Sequence, residues 1–582
     1  TMAETLISPG VLARENDQSF IGSRPVTFGA AIIGPAVQGP VGIPTAVSSF
    51  SQYEAIFGGS VESGSQFYTY LNTISARNYF EQGGESLLVT RVVSGSFTSA
   101  FTSGSNNVSL ANSGIRKLKG SGNSFQLSTI SKGEIMNNYQ AADDTGGTLA
   151  SGSANNLRWE IASVNTASGQ FSLLIRRGND TTNQKAILET YNNLSLDPTE
   201  PNYVSKAIGD ISYSVEQDGT DFYVKENGNY PNRSAYVRVS EVYAPTPQYF
   251  DNNGTPKNNL TGSLPRVASG SFVGATGLNV INNDAKFNEN INATNIQGIG
   301  PNDYTQSIKL LGNKDAYQFN VLTAPGLIKS LHSSQTTLLV TTAQSRTDCI
   351  AVIDMVPTGS TVNTVITQAS GLDTSYAATY WPWVQSIDGG TGQIVWSPAS
   401  TFIPGVYAFT DASSDPWFAP AGLIRGALGT VIRAERKLTS GNRDTLYEGN
   451  VNPIATFPGS GVVVFGQKTL QKKASALDRV NVRRLLIALK SFIVQVSDNL
   501  VFEQNTIATR NSFLSQVNPY LESVQQRQGL FAFKVVMDAS NNTPDVIDRN
   551  ELVGQIFLQP TKTAEFIILD FNVLPTGATF PA

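Results

Sequence analysis

The stretch DRVNVRRLLIALKSFIVQVSDNLVF (478–502) decides how the end of this chain is read. Val482, Leu485, Leu486, Leu489, Ile493, Val496 and Leu500 recur at the three- and four-residue spacing of one helix face. A second helical run follows at Phe513, Leu514, Val517, Leu521 and Val524. The period then drops to two, the repeat of a strand, in FAFKVVM (531–537), LVGQIFL (552–558) and EFIILDFNV (565–573). The last run is strongly apolar and lies near the end of the sequence, where it can pair with another molecule as readily as with its own sheet. The pattern predicts a helix–sheet domain whose final strand joins one copy to the next.

Outward from that segment, the chain divides. At 582 residues it exceeds one hydrophobic core and predicts about three or four domains. Hydrophobic residues make up 40%, enough for ordinary burial. Charged residues make up 15%, against roughly 25% in an average soluble domain, so Ser, Thr, Asn, Gln and Gly carry the polar surface. A net charge of −5 gives no electrostatic support to nucleic-acid binding. The single cysteine, Cys349, excludes an intrachain disulfide framework and reads as a buried thiol in CIAVIDMV. The first residues, TMAETLISPGVLARE, lack a secretory pattern, and no apolar run approaches the ~18 residues of a membrane span. An intracellular assembly site is expected.

FGAAIIG (28–34) predicts a buried strand. SSFSQYEAIFGG predicts a helix capped by Ser48 or Ser51 and stopped at Gly58–Gly59. QFYTYLNTISARNYFEQGG (66–84) predicts a second helix with Phe67, Tyr70, Leu71, Ile74 and Tyr79 on one face, and SLLVTRVV (86–93) a strand. From about 96 to 319 the chain becomes short alternating runs between Gly, Asn and Ser turns, among them WEIASV, FSLLIRR, FYVKE and AYVRVSEVY. These predict one or two exposed all-β insertions. The α/β pattern resumes at YQFNVLTAPG (317–326), and TLLVTTAQSRTDCIAVIDMVP predicts a helix followed by a buried parallel strand.

Taken in order, SPGVLARE (8–15), IIGPAVQGP (32–40), NYFEQGGESLLVTRVV (78–93), TAPG (323–326), CIAVIDMVP (349–357), YAATYWPW (376–383) and NVNPIATFPGSGVVVFGQKTL resemble contractile tail sheath proteins of myovirus-type phages. VNVRRLLIALKSFI, FEQN and the tail NNTPDVIDRNELVGQIFLQPTKTAEFIILDFNV extend the resemblance, which covers residues 5–95 and 317–575. It implies an α+β multidomain protein: an α/β sheath core (26–95 plus 317–455), a β-rich surface insertion or pair of insertions (96–316) and a C-terminal helical and sheet assembly domain (456–560). Arms at 1–25 and 561–582 complete it. It implies hexameric rings of the protein itself stacked around a tail tube, with baseplate and tail terminator partners, in a virion assembled in the host cytoplasm. Contraction then drives the tube through the host envelope.

The resemblance makes Ser8, Pro9, Gly10, Val11 and Leu12 at one end, and Phe566, Ile567, Ile568, Leu569, Phe571 and Val573 at the other, strand-forming arms that enter neighbouring subunits. Phe531, Phe533 and Val535 mark the strand that accepts them, and Arg483, Arg484, Lys490 and Asp498 form a polar helix face for the tube. Related bacteriocin or injection systems, or a host-binding role for the insertion, are the alternatives.

Residues for chemistry are sparse. One histidine, His332, and one cysteine are too few for the common zinc sites, and no G-x-S-x-G elbow accompanies His332. GVVVFGQKT (461–469) nearly spells a phosphate-binding loop, but Gln467 intervenes before Lys468 and displaces the lysine. Asn107 and Asn193 sit in glycosylation-type triplets without a secretory context, and Asp143–Asp144 lie in a Gly-rich loop without catalytic spacing. The expectation is a structural protein without enzyme activity, cofactor or metal, no direct nucleic-acid contact and no membrane insertion.

Overall fold

The structure, a computed structural model, describes residues 28–63, 66–95, 99, 101–105, 123–130, 157–272 and 286–565. Its centre is an eight-stranded sheet built from β1 (Phe28–Gly34), β2 (Thr45–Val47), β3 (Leu87–Arg91), β4 (Phe319–Ile328), β5 (Ile350–Asp354), β6 (Ala377–Trp381), β7 (Asn452–Phe457) and β8 (Gly461–Val464). The spatial order is β2-β3-β1-β4-β5-β6-β7-β8. The six inner strands are parallel, and β2 and β8 close the edges antiparallel. All five residues of β3, β5 and β6 are buried, as strands covered on both faces require.

Helices α1 (Phe50–Phe57), α2 (Leu71–Glu81), α3 (Ser333–Arg346), α4 (Val362–Ala369), α5 (Ile403–Ser413) and α6 (Ser440–Glu448) cover this sheet. Ser49, between the two expected caps Ser48 and Ser51, caps α1 by accepting from the Gln52 N–H. The second helix is shorter than expected, because Tyr70 is extended and Gln66–Tyr68 pairs as a strand with Val61–Ser63. Phe67 is therefore half exposed on that strand, while Leu71, Ile74 and Tyr79 enter the core.

The insertion has its own core around Phe125, Phe171, Leu173, Ile175 and Val237. Antiparallel sheets enclose it, one four-stranded (Leu157–Asn165, Gln170–Arg177, Ile187–Ser195, Ala268–Ser271) and one three-stranded (Phe101–Ser105, Asn123–Thr129, Val237–Val242). The unit is β-rich, as expected, but not all-β: short helices at Val204–Ile208 and Asn258–Thr261 belong to it, and Val204 and Ile208 enter its core. Its expected end at 316 does not hold, because Ile291, Ile296, Ile299, Tyr304, Ile308 and Leu311 are buried in the main α/β core. The other expected boundary, at 455/456, also moves, since β8 belongs to the central sheet.

Downstream, α7 (Val480–Asp498) and α8 (Ile507–Gln526) pack against each other and support β9 (Leu530–Val536) and β10 (Gln555–Pro560). Leu485, Leu489, Val496, Phe513, Val517, Leu521 and Val524 form this smaller core, the residues that the helical spacing picked out. The ring of Phe492 on α7 stacks on Tyr520 of α8 with centroids 3.8 Å apart. Val480 and Ile487, on another side of α7, reach into the main core, so one helix joins the two.

Candidate functional site

A doubly wound sheet presents a binding crevice where its strand order reverses, here beyond the ends of β1 and β4. The chain fills that place itself. Gly326, at φ +94°, lies under Leu71, Ile291 and Ile296, and a Cβ there would stand 3.2–3.3 Å from all three side chains. The first N–H of α2, a donor that such folds often aim at phosphate, goes to Gln297 Oε1 at 3.3 Å. His332 pins the same segment. Its Nδ1 accepts from the Ile328 N–H at 3.0 Å, which leaves Nε2 to donate to the Asn292 carbonyl at 2.9 Å. Burial holds its pKa below the ordinary value. Cys349 is fully buried, and burial pushes its thiol up. Among the described residues no three His, Cys, Asp or Glu side chains cluster to hold a metal ion, and no helix is long and apolar enough to cross a membrane.

The C-terminal sheet is small and, among the described residues, unextended. β9 and β10 pair antiparallel from Leu530↔Pro560 to Val536↔Gln555, with an irregularity at Phe531, and among the described residues neither takes a third strand. Phe533, Val535, Ile556 and Leu558 face the core of α7 and α8. Phe531 and Phe557 point outward, 75% and 57% exposed. Two strands are marginal alone, so the helices hold this pair in shape, and among the described residues no strand covers its edges. At the ends of β9, Gln525 Nε2 donates to the Phe531 carbonyl and Asn541 Nδ2 to that of Val536.

Phe531, Phe533 and Val535 thus share one edge strand, though only Phe531 faces outward. The expected arm residues Ser8–Leu12, Phe566–Leu569, Phe571 and Val573 lie outside the described residues, as do Asn107 and Asp143–Asp144. The expected tube-facing set splits. Lys490 and Asp498 are exposed, but Arg483 and Arg484 are each only 4% exposed and face the central domain. Arg484 Nη2 donates to both oxygens of Asp411 on α5 at 2.6 Å, and its guanidinium lies 4.6 Å from the Tyr407 ring centre. Arg483 donates to Ser375 and stacks on Tyr376. Desolvating two guanidinium groups for such partners is a structural arrangement, so these two residues are removed from the polar face.

A second polar cluster lies where the described chain ends. After Pro560, Thr561 N donates to the Gly529 carbonyl at 3.2 Å, and residues 561–565 cross to the central body. There Glu565 accepts three bonds: from Arg479 Nε at 2.7 Å, from Gln467 Nε2 at 3.0 Å and from the Tyr447 hydroxyl at 2.8 Å. Gln467 also donates to Thr563 Oγ1 at 2.8 Å. Lys468 Nζ donates to the Tyr447 carbonyl at 2.8 Å and sits 4.4 Å from that ring's centre. Burial raises the Tyr447 pKa, and the Glu565 charge raises it further. The residues that imitate a phosphate loop are thus occupied within the protein. Sequence reading missed this cluster; the one signal was an acidic residue opening an otherwise apolar strand run.

These features define a multidomain α/β protein with an occupied switch point and an open-edged C-terminal sheet. Residues 297–470 match the model of the phage tail sheath protein central domain, and residues 472–574 match that of the phage tail sheath C-terminal domain. The second half of the chain is thus similar, over two successive stretches, to the central and C-terminal domains of phage tail sheath proteins. A stretch of 185 residues is 43% identical to the tail sheath protein of Vibrio phage KVP40, covering 32% of this chain and 28% of that relative. The corresponding figure for Enterobacteria phage T4 is 40%, over the same shares. The matched stretch thus spans 28% of the length of each relative. The crystal structure of a sheath tail protein from Listeria innocua shares the fold over 92% of this chain and 95% of its own, with a TM-score of 0.53 at 11% identity.

Proposed function

We propose that this protein is the subunit of a contractile phage tail sheath, which polymerises around the tail tube and contracts to drive the tube through the host envelope for DNA delivery. The observation that carries the reading is the C-terminal sheet, which among the described residues has two strands and no third on either edge, in a chain that matches both sheath domain models. Strand addition to such an edge gives main-chain bonds worth about 0.5–1.5 kcal/mol each. Links of that kind persist while bodies rotate against one another. The arms are Ser8–Leu12 and the run Phe566, Ile567, Ile568, Leu569, Phe571, Val573, and the acceptor is the β9 strand of Phe531, Phe533 and Val535. Lys490 and Asp498, on the exposed side of α7, are the tube-facing charges.

Copies of the chain stack as hexameric rings, with tube, baseplate and tail terminator proteins as further partners, and the place of action is the virion tail, assembled in the host cytoplasm. The protein performs no catalysis, and the work of contraction comes from the difference between two assembled states. The filled switch point supports that reading, because Leu71, Ile291, Ile296 and Gln297 stand where a nucleotide would bind.

The test is a chain ending at Glu565. By negative-stain microscopy and sedimentation the full chain is expected to form long tubes, and the shortened chain to stay a folded monomer. Tubes formed by both at the same protein concentration would remove the C-terminal arm from the reading.

A further inference from the structure

The cluster around Glu565 has a mechanical consequence. Without it, tension entering from the chain beyond residue 565 would fall first on the bond from Thr561 N to the Gly529 carbonyl and next on Leu530–Pro560, the terminal pair of the β9–β10 ladder. Ladder bonds loaded from one end break one after another, and this ladder belongs to a sheet with two strands among the described residues. With the cluster in place, the tension meets a carboxylate held by three donors from three parts of the central body. Tyr447 belongs to α6, Gln467 to the connector after β8, and Arg479 is the residue from which α7 starts. Arg479 and Glu565 are also partly shielded, with side chains 25% and 18% exposed, which strengthens a charge-assisted bond relative to one in open water.

We propose that Glu565 is the positioning residue of the C-terminal arm: its contacts with Arg479, Gln467 and Tyr447 fix the point from which the arm departs and pass its tension to the α/β body. The inference rests on the sheath reading above. Glu565 acts through the segment it anchors. Gln467 serves the anchor twice, through Glu565 and through Thr563.

The experiment compares Glu565→Ala, Glu565→Gln, Tyr447→Phe and the chain ending at Glu565, all as otherwise full-length protein. Loss of the carboxylate frees the segment that leads from β10 to Glu565, so exchange of the Thr561 amide, which donates to the Gly529 carbonyl, is expected to rise about 10- to 100-fold in the Glu565→Ala monomer. Exchange in α7 and β5, and the melting of the monomer, are expected to stay at wild-type values. The concentration needed for tube formation is expected to rise in the order wild type, Tyr447→Phe, Glu565→Gln, Glu565→Ala. The graded rescue by Gln separates an anchor from mere damage to the fold. If Glu565→Ala assembles at the wild-type concentration while the chain ending at Glu565 does not, the anchor is refuted and the arm stands. If the shortened chain also assembles normally, the arm reading fails and the anchor with it. Unchanged exchange of the Thr561 amide in Glu565→Ala refutes the anchor by itself.

Discussion

Replacing Arg484 with alanine tests whether α7 is clamped to the central body or presents its arginines to a partner. Arg484 is 4% exposed and bonded to both oxygens of Asp411, which retains 31% exposure. Breaking a fully buried pair costs about 3–5 kcal/mol, because the remaining charge is stranded. Asp411 is partly wet, so water relieves some of that penalty and the expected cost is about 2–3 kcal/mol. Part of it is lost contact with the Tyr407 ring, 4.6 Å from the guanidinium. The cost should appear as local opening of α7 and α8, measured by hydrogen exchange in the monomer as roughly 30- to 150-fold faster exchange. Asp411→Asn and the double variant complete a cycle whose coupling is expected to exceed about 1 kcal/mol. Lys490→Ala, on the exposed side of the same helix, should leave exchange unchanged. An Arg484→Ala monomer with wild-type exchange and impaired assembly would refute the clamp and restore a surface role to this arginine.

Asp354 predicts a pH dependence. Burial raises its carboxyl from 3.8 to about 6, with the N–H and Oγ of Ser400 pulling it back down. The folded state keeps this proton up to about pH 6 while the unfolded chain releases it near 4, so the stability it gives is full below 4 and lost as pH rises through 6, about 3 kcal/mol in all. Urea melts at pH 4 and pH 7.5 should show Asp354→Asn gaining on the wild type by up to that amount at the higher pH; an equal difference at both would refute this. His332 has the opposite sign, since its pKa is lowered from 6.5 by burial, so the stability it contributes is present above 6.5 and lost as pH falls. His332→Ala leaves the Ile328 N–H and Asn292 carbonyl without partners, at a cost of about 2–4 kcal/mol in the same melts at pH 7.5. Gly326→Ala combines a φ of +94° with three close side chains, and a loss of about 1–3 kcal/mol is expected in melting experiments.

Periodicity made the elements legible where one face alone decides burial. The apolar positions of α7 and α8 were placed by spacing, and CIAVIDMV reads as the buried parallel strand it is. Other assignments failed because the partner lies far away in sequence. Arg483 and Arg484 look like a solvated face until Ser375 and Asp411, 108 and 73 residues earlier, are folded against them. Residues 291–311 carry the Asn- and Gly-rich composition of the insertion they follow, yet their isoleucines fill the switch point of the central sheet. The helix expected from residue 66 begins at Leu71, because local spacing does not reveal that Gln66–Tyr68 pairs with Val61–Ser63. Of the association surface, the strands of the C-terminal sheet could be read, and the anchor at Glu565 could not. Its donors come from Tyr447, Gln467 and Arg479, and only the folded chain brings them together.

The placement of α7 explains why an anchor at Glu565 would serve a moving assembly. The helix starts at Arg479, which holds Glu565, and within two turns its Arg484 grips α5 of the central domain. Val480 and Ile487 lie in the main core, while Leu485, Leu489 and Val496 build the C-terminal one. A pull on Glu565 therefore reaches both cores through one element, and unseating that element would expose buried apolar surface in each. Burial of side chains of this size contributes about 1.5–3 kcal/mol apiece, well above the strength of any single ladder bond. In a sheath of such subunits, the connections between bodies would yield before the bodies themselves. Contraction would then proceed by rotation of intact units, and the order of failure under load should be inter-subunit side-chain contacts first, the arm's strand pairing next and the α7 clamp last.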